Sequence, residues 1–516
     1  MRDTLLSDLP RGDPDRSPED LNPDSFKPQS AKFASPRIIR STADLSYDNN
    51  PGAIFLGVVD GTVMEPGIAR KRHVMGGYPV GIEDDRHMLT VAGSRAGKGR
   101  AAIVPNMLRY PGSVLATDPK GELATITARH RHSKLGQAVH VLDPFGVTRG
   151  NAVALRQSFN PILAMRPNSV ADAALIADAL VVVSDKDAHW DESARTFIEG
   201  VILHVQTAPI YKGARSLVTV QALIAGGAMQ ADGKKRTMAA LDAAMRSNPA
   251  GDGVVRDAAA DFFDRPEKEQ GSVLSTARRH LKFLNYPEIR GVVQEHDFQL
   301  SDLKTKRTTI YLCLPASHIG TCSRWLRLFI NLTLQSMEQT AATDMAVPVL
   351  MVLDEFASLG KMRQIEDAAG QIAGFGVKLW PILQDLGQLK ALYSERWETF
   401  MGNAGVLQFF GNNDLTTLEW IAKRCGKTSI DATRTNSITA LQNRDGARGI
   451  SQSIDVCELL AVDEAARFFN RDDPKHRQLI IWASASRPLI LQRVYYDKHQ
   501  IFSGLYDDRP KTGAVQ

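Results

Sequence analysis

Strand-sized apolar runs alternate with segments of helical spacing along most of the chain. The first runs cover residues 87–92, 113–118 and 138–143, and helices are predicted to begin near Arg100 and Gly121. Strands that alternate with helices are typical of a parallel sheet covered on both faces, so the pattern predicts an α/β fold with a mainly parallel sheet. Similar apolar runs return later in the chain at residues 308–314, 348–355, 377–384, 406–410, 478–483 and 488–496.

Between these two groups of strands, residues 168–290 have almost only helical spacing. One stripe of apolar residues there recurs at helical intervals: Trp190, Phe197, Ile198, Val201, Ile202 and Val205. Such a stripe is typical of a helix core rather than of a binding face. We therefore predict an all-alpha insertion domain at residues 168–290, within one nucleotide-binding domain formed by residues 51–167 and 291–516.

Residues 1–50 are rich in Asp, Pro, Ser and Asn and contain few apolar side chains. A segment of this composition buries too little apolar surface to offset the entropy lost on ordering. We expect a disordered or extended N-terminal arm.

Composition excludes few classes of protein. The chain has 516 residues, 43% of them hydrophobic, and a formal charge of +4, which argues neither for nor against nucleic acid. Its four cysteines show no paired spacing, which favours a reducing compartment over structural zinc or disulfides. No apolar run approaches the roughly 20 residues that span a bilayer, and no signal peptide is visible, so a cytoplasmic protein is expected.

A phosphate-binding loop is predicted where the strand at residues 87–92 meets the following helix. The candidate residues for nucleotide binding are Gly93, Ser94, Arg95, Ala96, Gly97, Lys98, Gly99 and Arg100. Backbone N–H groups at a helix N-terminus attract anions, and a lysine adds a mobile positive charge. The match departs from the usual loop at Ala92, where glycine is expected, and at Gly99, where a hydroxyl is expected. A rival match ending at Gly426-Lys427-Thr428 follows a helical stretch and is interpreted as a helix C-cap.

A second chemical feature is the apolar run at residues 347–353, which ends in Asp354 and Glu355. This is a Walker B pattern, in which Asp354 would hold Mg²⁺ and Glu355 would act as general base toward water. Gln384 ends a later strand and is a candidate for contacting both γ-phosphate and water. Each prediction has a structural alternative. Asp354 and Glu355 could be solvated acids that end a strand, and the Gln384 amide could be bonded only to backbone. Residues 118–123, which begin with a strand-end acid, are expected to shape the same pocket.

These motifs together resemble the type IV secretion coupling proteins, the TraG-like conjugative ATPases of the RecA/FtsK/HerA group. The resemblance covers roughly residues 86–510 and is carried by residues 94–99, 118–123, 158–162, 353–356, 383–389, 487–488 and 495–496. It implies a RecA-like P-loop domain with ATP and Mg²⁺, a hexameric ring, and an all-alpha domain that receives the transfer substrate.

Two departures from the family pattern are visible. Family members usually begin with transmembrane helices, and the apolar runs of this sequence predict none. Attachment at the cytoplasmic face of the inner membrane is therefore expected through a secretion-channel or membrane-anchor partner. Relatives can also carry an arginine in the segment between Walker B and the glutamine, whereas residues 371–378 here contain none. The cation acting in trans is therefore unassigned, and Arg363 and Lys378 are the candidates.

The leading hypothesis is an ATPase motor that receives relaxase-linked single-stranded DNA, or effector proteins, and delivers them to a type IV secretion channel. DNA is expected to stimulate hydrolysis. Basic clusters that could contact DNA are more often solvated faces, although a six-fold pore would multiply their effect. Two alternatives remain: a substrate-docking platform that binds nucleotide without hydrolysing it, and a HerA-like DNA translocase without a channel.

Overall fold

The computed structural model describes residues 31–50, 52–65, 72–183, 187–226, 237–341, 347–435 and 450–508. The chain divides into two compact units. The first unit comprises Met1–Tyr110 and Trp380–Leu505, and the second comprises Pro111–Leu379 and Tyr506–Gln516.

Strands occur in both units. Their bounds are β1 Ile54–Val59, β2 Thr62–Met64, β3 His73–Met75, β4 Tyr78–Ile82, β5 His87–Ala92, β6 Val114–Thr117, β7 Ala138–Leu142, β8 Thr308–Leu312, β9 Val349–Leu353, β10 Val377–Leu383, β11 Ala404–Phe410, β12 Lys427–Thr435, β13 Ile450–Glu458, β14 Arg477–Trp482 and β15 Leu489–Gln492.

The α-helices are similarly distributed. Their bounds are α1 Pro36–Ser41, α2 Val104–Arg109, α3 Glu122–Ser133, α4 Pro161–Ala164, α5 Val170–Leu180, α6 Ala188–Thr207, α7 Leu217–Ile224, α8 Met238–Arg246, α9 Val254–Phe263, α10 Glu267–His280, α11 Pro287–Gln294, α12 Asp302–Thr305, α13 Ala316–Gln339, α14 Arg363–Gln371, α15 Leu386–Tyr393, α16 Trp397–Gly402, α17 Leu415–Cys425 and α18 Val462–Phe468.

In the first unit the strand order is β4-β1-β15-β14-β11-β5-β10. The strand β5 runs parallel to both β10 and β11, so these three strands end at the same edge of the sheet. The C-terminal strands β14 and β15 pair antiparallel with their neighbours and complete the sheet, as the late apolar runs predicted.

In the second unit the strand order is β9-β6-β8-β7, and every pair is parallel. Residues of β6, β8 and β9 are all buried, which explains why these strands read as continuous apolar runs rather than as alternating ones. The predicted α/β class with a mainly parallel sheet is confirmed.

The described residues between 168 and 290 form helices α5–α11 and short 3-10 turns, without a strand. The predicted apolar stripe on α6 is buried from Phe197 to Val205, and Phe197 stacks on Phe262 with ring centroids 3.9 Å apart. Trp190 differs, because it is only half-buried near the start of α6. The helical content agrees with the expected insertion, whose assignment as a separate domain remains a prediction.

The N-terminal residues differ in part from the expected arm. Residues 1–30 lie outside the described residues, but residues 31–49 form α1 and two 3-10 turns. Phe33, Ile39, Leu45 and Tyr47 are buried, and the Tyr47 ring meets Phe55 of β1 edge-on. These four side chains bury apolar surface that stabilises the segment, although the average composition of residues 1–50 is polar.

Among the described residues, no helix combines the length and the apolar character that crossing a bilayer requires. The four cysteines are free thiols; Cys313, Cys322 and Cys425 are buried, and Cys457 is half-buried.

Candidate nucleotide site

The predicted phosphate-binding loop lies in the first unit, directly after β5. A helix begins at Lys98, and its first turn, Gly99–Ile103, is a π-helix that continues into α2. Ser94 and Arg95 are exposed, whereas Lys98 is half-buried at the start of the helix. The strand, loop and helix expected of an anion site are therefore all present.

Close packing explains the glycine at the base of this loop. The Gly93 N–H donates to the Phe410 carbonyl at 3.2 Å, and a Cβ placed on Gly93 would lie 1.8 Å from the Gly411 carbonyl oxygen. At the other end of the loop, Gly97 has φ +90°, a backbone conformation that residues with a side chain rarely adopt. Both glycines are thus required by backbone geometry.

The C-terminal segment that follows β15 packs against the loop, which the sequence did not predict. The Tyr495 ring lies beneath the Arg100 guanidinium at 4.2 Å from its centroid, and Asp497 forms a two-point ion pair with that guanidinium. The Tyr496 N–H donates to the Arg100 carbonyl at 3.2 Å. Arg100, expected to bind nucleotide, therefore has its charge held by a carboxylate of the same unit.

Gln384 lies beside the loop within the first unit. Its strand, β10, pairs in parallel with β5, with Leu383 opposite Val91. The backbone of Gln384 is held on both sides: its N–H donates to Gln388 Oε1 at 3.0 Å, and its carbonyl accepts from Asn412 Nδ2 at 3.4 Å. A role for Gln384 next to a bound phosphate stays a prediction.

The Walker B residues lie in the second unit, at the end of β9. Asp354 Oδ1 accepts the Glu355 N–H at 3.0 Å, and the Thr117 hydroxyl donates to the Asp354 carbonyl at 2.9 Å. Glu355 has φ +53°, a left-handed conformation that is uncommon for a side chain of this kind. Local strain of this type concentrates at functional sites.

Asp118 follows β6, which is the neighbour of β9 in the second unit. Burial raises the pKa of this carboxyl to about 7, and the charge of Asp354 adds to the effect. Backbone N–H groups act in the opposite direction, including that of Ala124 at 2.9 Å. Residues 118–123 were expected beside the phosphate-binding loop, whereas the strand before them pairs with β9, which carries the Walker B acids. Their role in shaping a nucleotide pocket stays a prediction.

The candidate residues therefore form two groups. Residues 93–100 and Gln384 lie together in the first unit, and Asp354 and Glu355 lie together in the second unit. Of the two candidate cations, Lys378 is buried at 4% exposure, whereas Arg363 is exposed at the start of α14.

Comparison with known proteins indicates the same family as the motifs. Residues 57–511 match the family model described as Type IV secretory system Conjugative DNA transfer. The chain belongs to this family. The resemblance to type IV secretion coupling proteins inferred from the motifs is thereby confirmed.

Relatives of this conjugative DNA transfer family include the conjugal transfer protein TraG of Escherichia coli, which is 29% identical over 369 residues, covering 67% of this chain and 55% of TraG. The protein VirD4 of Rhizobium rhizogenes is 27% identical over 434 residues, covering 82% of this chain and 60% of VirD4. The chain thus spans somewhat more than half the length of these relatives.

A solved structure of the bacterial conjugative coupling protein TrwB is similar to this one, with a TM-score of 0.59 over 86% of this chain and 96% of that chain. At 15% sequence identity this likeness shows that the two chains share a fold.

Proposed function

We propose that the protein is an ATP-driven coupling protein that receives relaxase-linked single-stranded DNA or protein substrates and delivers them to a type IV secretion channel. The observation that carries this proposal is the family match over residues 57–511, which includes the glycine-rich loop, the Walker B acids and Gln384. TrwB has been solved in complex with ADP and Mg²⁺ and with a non-hydrolysable ATP analogue, which supports the same ligands here.

The residues present suit a magnesium-bound triphosphate. The loop offers backbone N–H groups and Lys98 to phosphate oxygens, and Asp354 offers the carboxylate oxygen that Mg²⁺ prefers. Gly99 supplies no hydroxyl, so Asp354 and Ser94 are the side chains proposed to compensate. When bound, Mg²⁺ would neutralise charge on the phosphates.

For hydrolysis, we assign Glu355 as the base that accepts a proton from the attacking water, and Gln384 as the amide that orients this water. Both roles extend the sequence prediction. Gln384 is suited to the task because hydrogen bonds from two directions fix its backbone.

A groove in the helical region is the proposed contact for single-stranded DNA. It lies between α6 and α10 and has a volume of about 440 Å³; it is lined by Asp187, Trp190, Lys268, Gly271, Ser272, Ser275, Thr276 and Arg279. An aromatic ring, two cations and three hydroxyls suit stacked bases and phosphates. Buried Asp191 holds Arg279 at 2.7 Å and thereby fixes one rim of the groove.

We further propose a homo-hexamer with Arg363 as the trans-acting cation, and recruitment to the cytoplasmic face of the inner membrane by a secretion-channel or membrane-anchor protein. An arginine supplied in trans raises turnover by about 10³ to 10⁵ in related phosphoryl-transfer enzymes. The exposure of Arg363 suits this role better than the burial of Lys378.

One alternative has a specific observation in its favour. Gly99 lacks the usual metal-binding hydroxyl, which fits a docking platform that binds nucleotide without turnover. A HerA-like translocase that acts without a channel is the other alternative, and the presence or absence of secretion-channel genes beside this one would separate it from the leading proposal.

ATP turnover of two variants distinguishes the motor from the platform. Lys98→Ala removes the phosphate-binding charge and is expected to abolish turnover, whereas Glu355→Gln should keep nucleotide affinity and lose about 10²- to 10⁴-fold in turnover. The exposed Lys212→Ala variant is the control. A wild-type protein that binds MgATP but gives no turnover above Lys98→Ala, even with DNA, would favour the platform.

A further inference from the structure

Arg493 is a fully buried cation that touches the phosphate-binding loop. It is 1% exposed, and its Nη1 donates to the Ala96 carbonyl at 3.0 Å. Its other nitrogens donate to the carbonyls of Asn470 and His476 at 3.3 and 3.4 Å, and its guanidinium lies 5.1 Å from the centroid of the Phe410 ring. All of these partners belong to the first unit.

No ion pair joins Arg493 to a carboxylate among the described residues. Asp472 and Asp473 act on its charge only from a distance, and Asp473 is hydrogen-bonded to Arg477 at 2.7, 2.8 and 3.1 Å. Burial lowers the pKa of Arg493, as expected for a cation removed from water. A buried charge that is hydrogen-bonded to carbonyls but lacks a direct ion pair is stabilised further when an anion binds nearby.

The geometry of the 96–97 peptide relates Arg493 to the direction of the Gly97 N–H in the loop. In a planar trans peptide, the carbonyl of Ala96 and the N–H of Gly97 point in opposite directions. A guanidinium that holds the Ala96 carbonyl on the interior side therefore turns the Gly97 N–H away from the interior and polarises it. Gly97 has the positive φ that this orientation permits.

We propose that Arg493 is a positioning residue of the nucleotide site, which aims the Gly97 N–H at the phosphates and whose buried charge the bound nucleotide balances. This inference rests on the proposed function, since it needs a nucleotide at the loop. Arg493 acts through the 96–97 peptide and does not itself touch the phosphates.

The test compares MgADP affinity with the stability of the nucleotide-free protein. Arg493→Met keeps the volume and removes the charge, so it should weaken MgADP binding about tenfold or more, which is the value of a hydrogen bond to a charged group. The melting temperature without nucleotide should stay within a few degrees of wild type, because the loss of a buried charge offsets the cost of the three carbonyls left without their donor. A merely structural role would lower both quantities.

The matched control is Arg109→Met, which removes another guanidinium of the first unit that is bonded to a carbonyl and stacked on a ring, at Ile501 and Tyr47. It should leave MgADP affinity unchanged. If Arg493→Met does not fold, Arg493→Lys is measured instead. Lysine keeps the positive charge but lacks the planar guanidinium with its several donors, so this variant should bind MgADP several-fold more weakly.

Wild-type affinity for MgADP in the Arg493 variant that folds contradicts the inference. Absence of MgADP binding by the wild-type protein contradicts the proposed function instead, so the two failures can be distinguished.

Discussion

His476 illustrates how individual side chains near the loop are constrained. It is 6% exposed, has φ +58°, and its ring meets Tyr495 edge-on. Burial lowers the pKa of His476 to about 4, and the charge of Arg493 acts in the same direction. Asp473 opposes the shift, and His73 adds to it, so the folded protein holds this histidine neutral at pH 7.

This shift predicts a specific loss of stability in acid. Because the unfolded histidine has a pKa near 6.5, the unfolded state takes up a proton first, and stability falls as the pH drops from about 6.5 toward 4, by up to about 1.4 kcal/mol per pH unit. His476→Asn, which tolerates the left-handed backbone, should reduce the difference in melting temperature between pH 7 and pH 5. Exposed His189→Asn should not. Equal acid sensitivity of wild type and His476→Asn would refute this assignment.

The side chains that hold the loop could be predicted only in part. Residues 93–100 follow a local motif, so their placement at the end of β5 was predictable. Arg493 belongs to no such motif, because its bond to Ala96 joins positions 397 residues apart. The nucleotide-binding role given to Arg100 from its place in the loop stays a prediction, and its ion pair with Asp497, which is distant in the sequence, had no local signal.

At the scale of elements, the strands were the most predictable part of the chain. Buried parallel strands such as β5, β9 and β10 are short, mostly apolar runs bounded by loops, which makes them visible without tertiary information. The short helix α1 was missed because the composition of residues 1–50 as a whole is polar. The pairing of β14 and β15 with distant strands likewise depends on contacts that local patterns do not encode.

The groove between α6 and α10 gives a prediction at the same scale. Trp190→Ala should weaken the binding of labelled single-stranded DNA about tenfold, since stacking on an aromatic ring contributes about 1–3 kcal/mol per base. Lys268→Glu should weaken binding and reduce its salt dependence. Fluorescence anisotropy at a stated salt concentration measures both effects.

Lys212→Glu is the charge-matched control for this groove, because Lys212 is exposed and lies outside its lining. Unchanged DNA affinity in both groove variants at low salt would show that the strand binds elsewhere.

At the scale of the whole molecule, the small net charge of +4 is compatible with a DNA motor if the protein forms a ring. One or two cations from each of six subunits would neutralise roughly 6 to 12 phosphates, which is enough for strong, salt-dependent binding. Assembly, rather than composition, would then create the DNA site. An active site completed by a neighbouring subunit would also explain why the trans-acting cation is hard to assign from one chain.

The most direct test of the proposed motor is ATP turnover measured against oligomer size, with and without single-stranded DNA. Turnover should be confined to the hexameric fraction, rise when DNA is added at low salt, and disappear in Lys98→Ala. A hexameric sample that binds single-stranded DNA but shows no stimulated turnover, or a monomer with full turnover in the absence of DNA, would contradict the proposed motor.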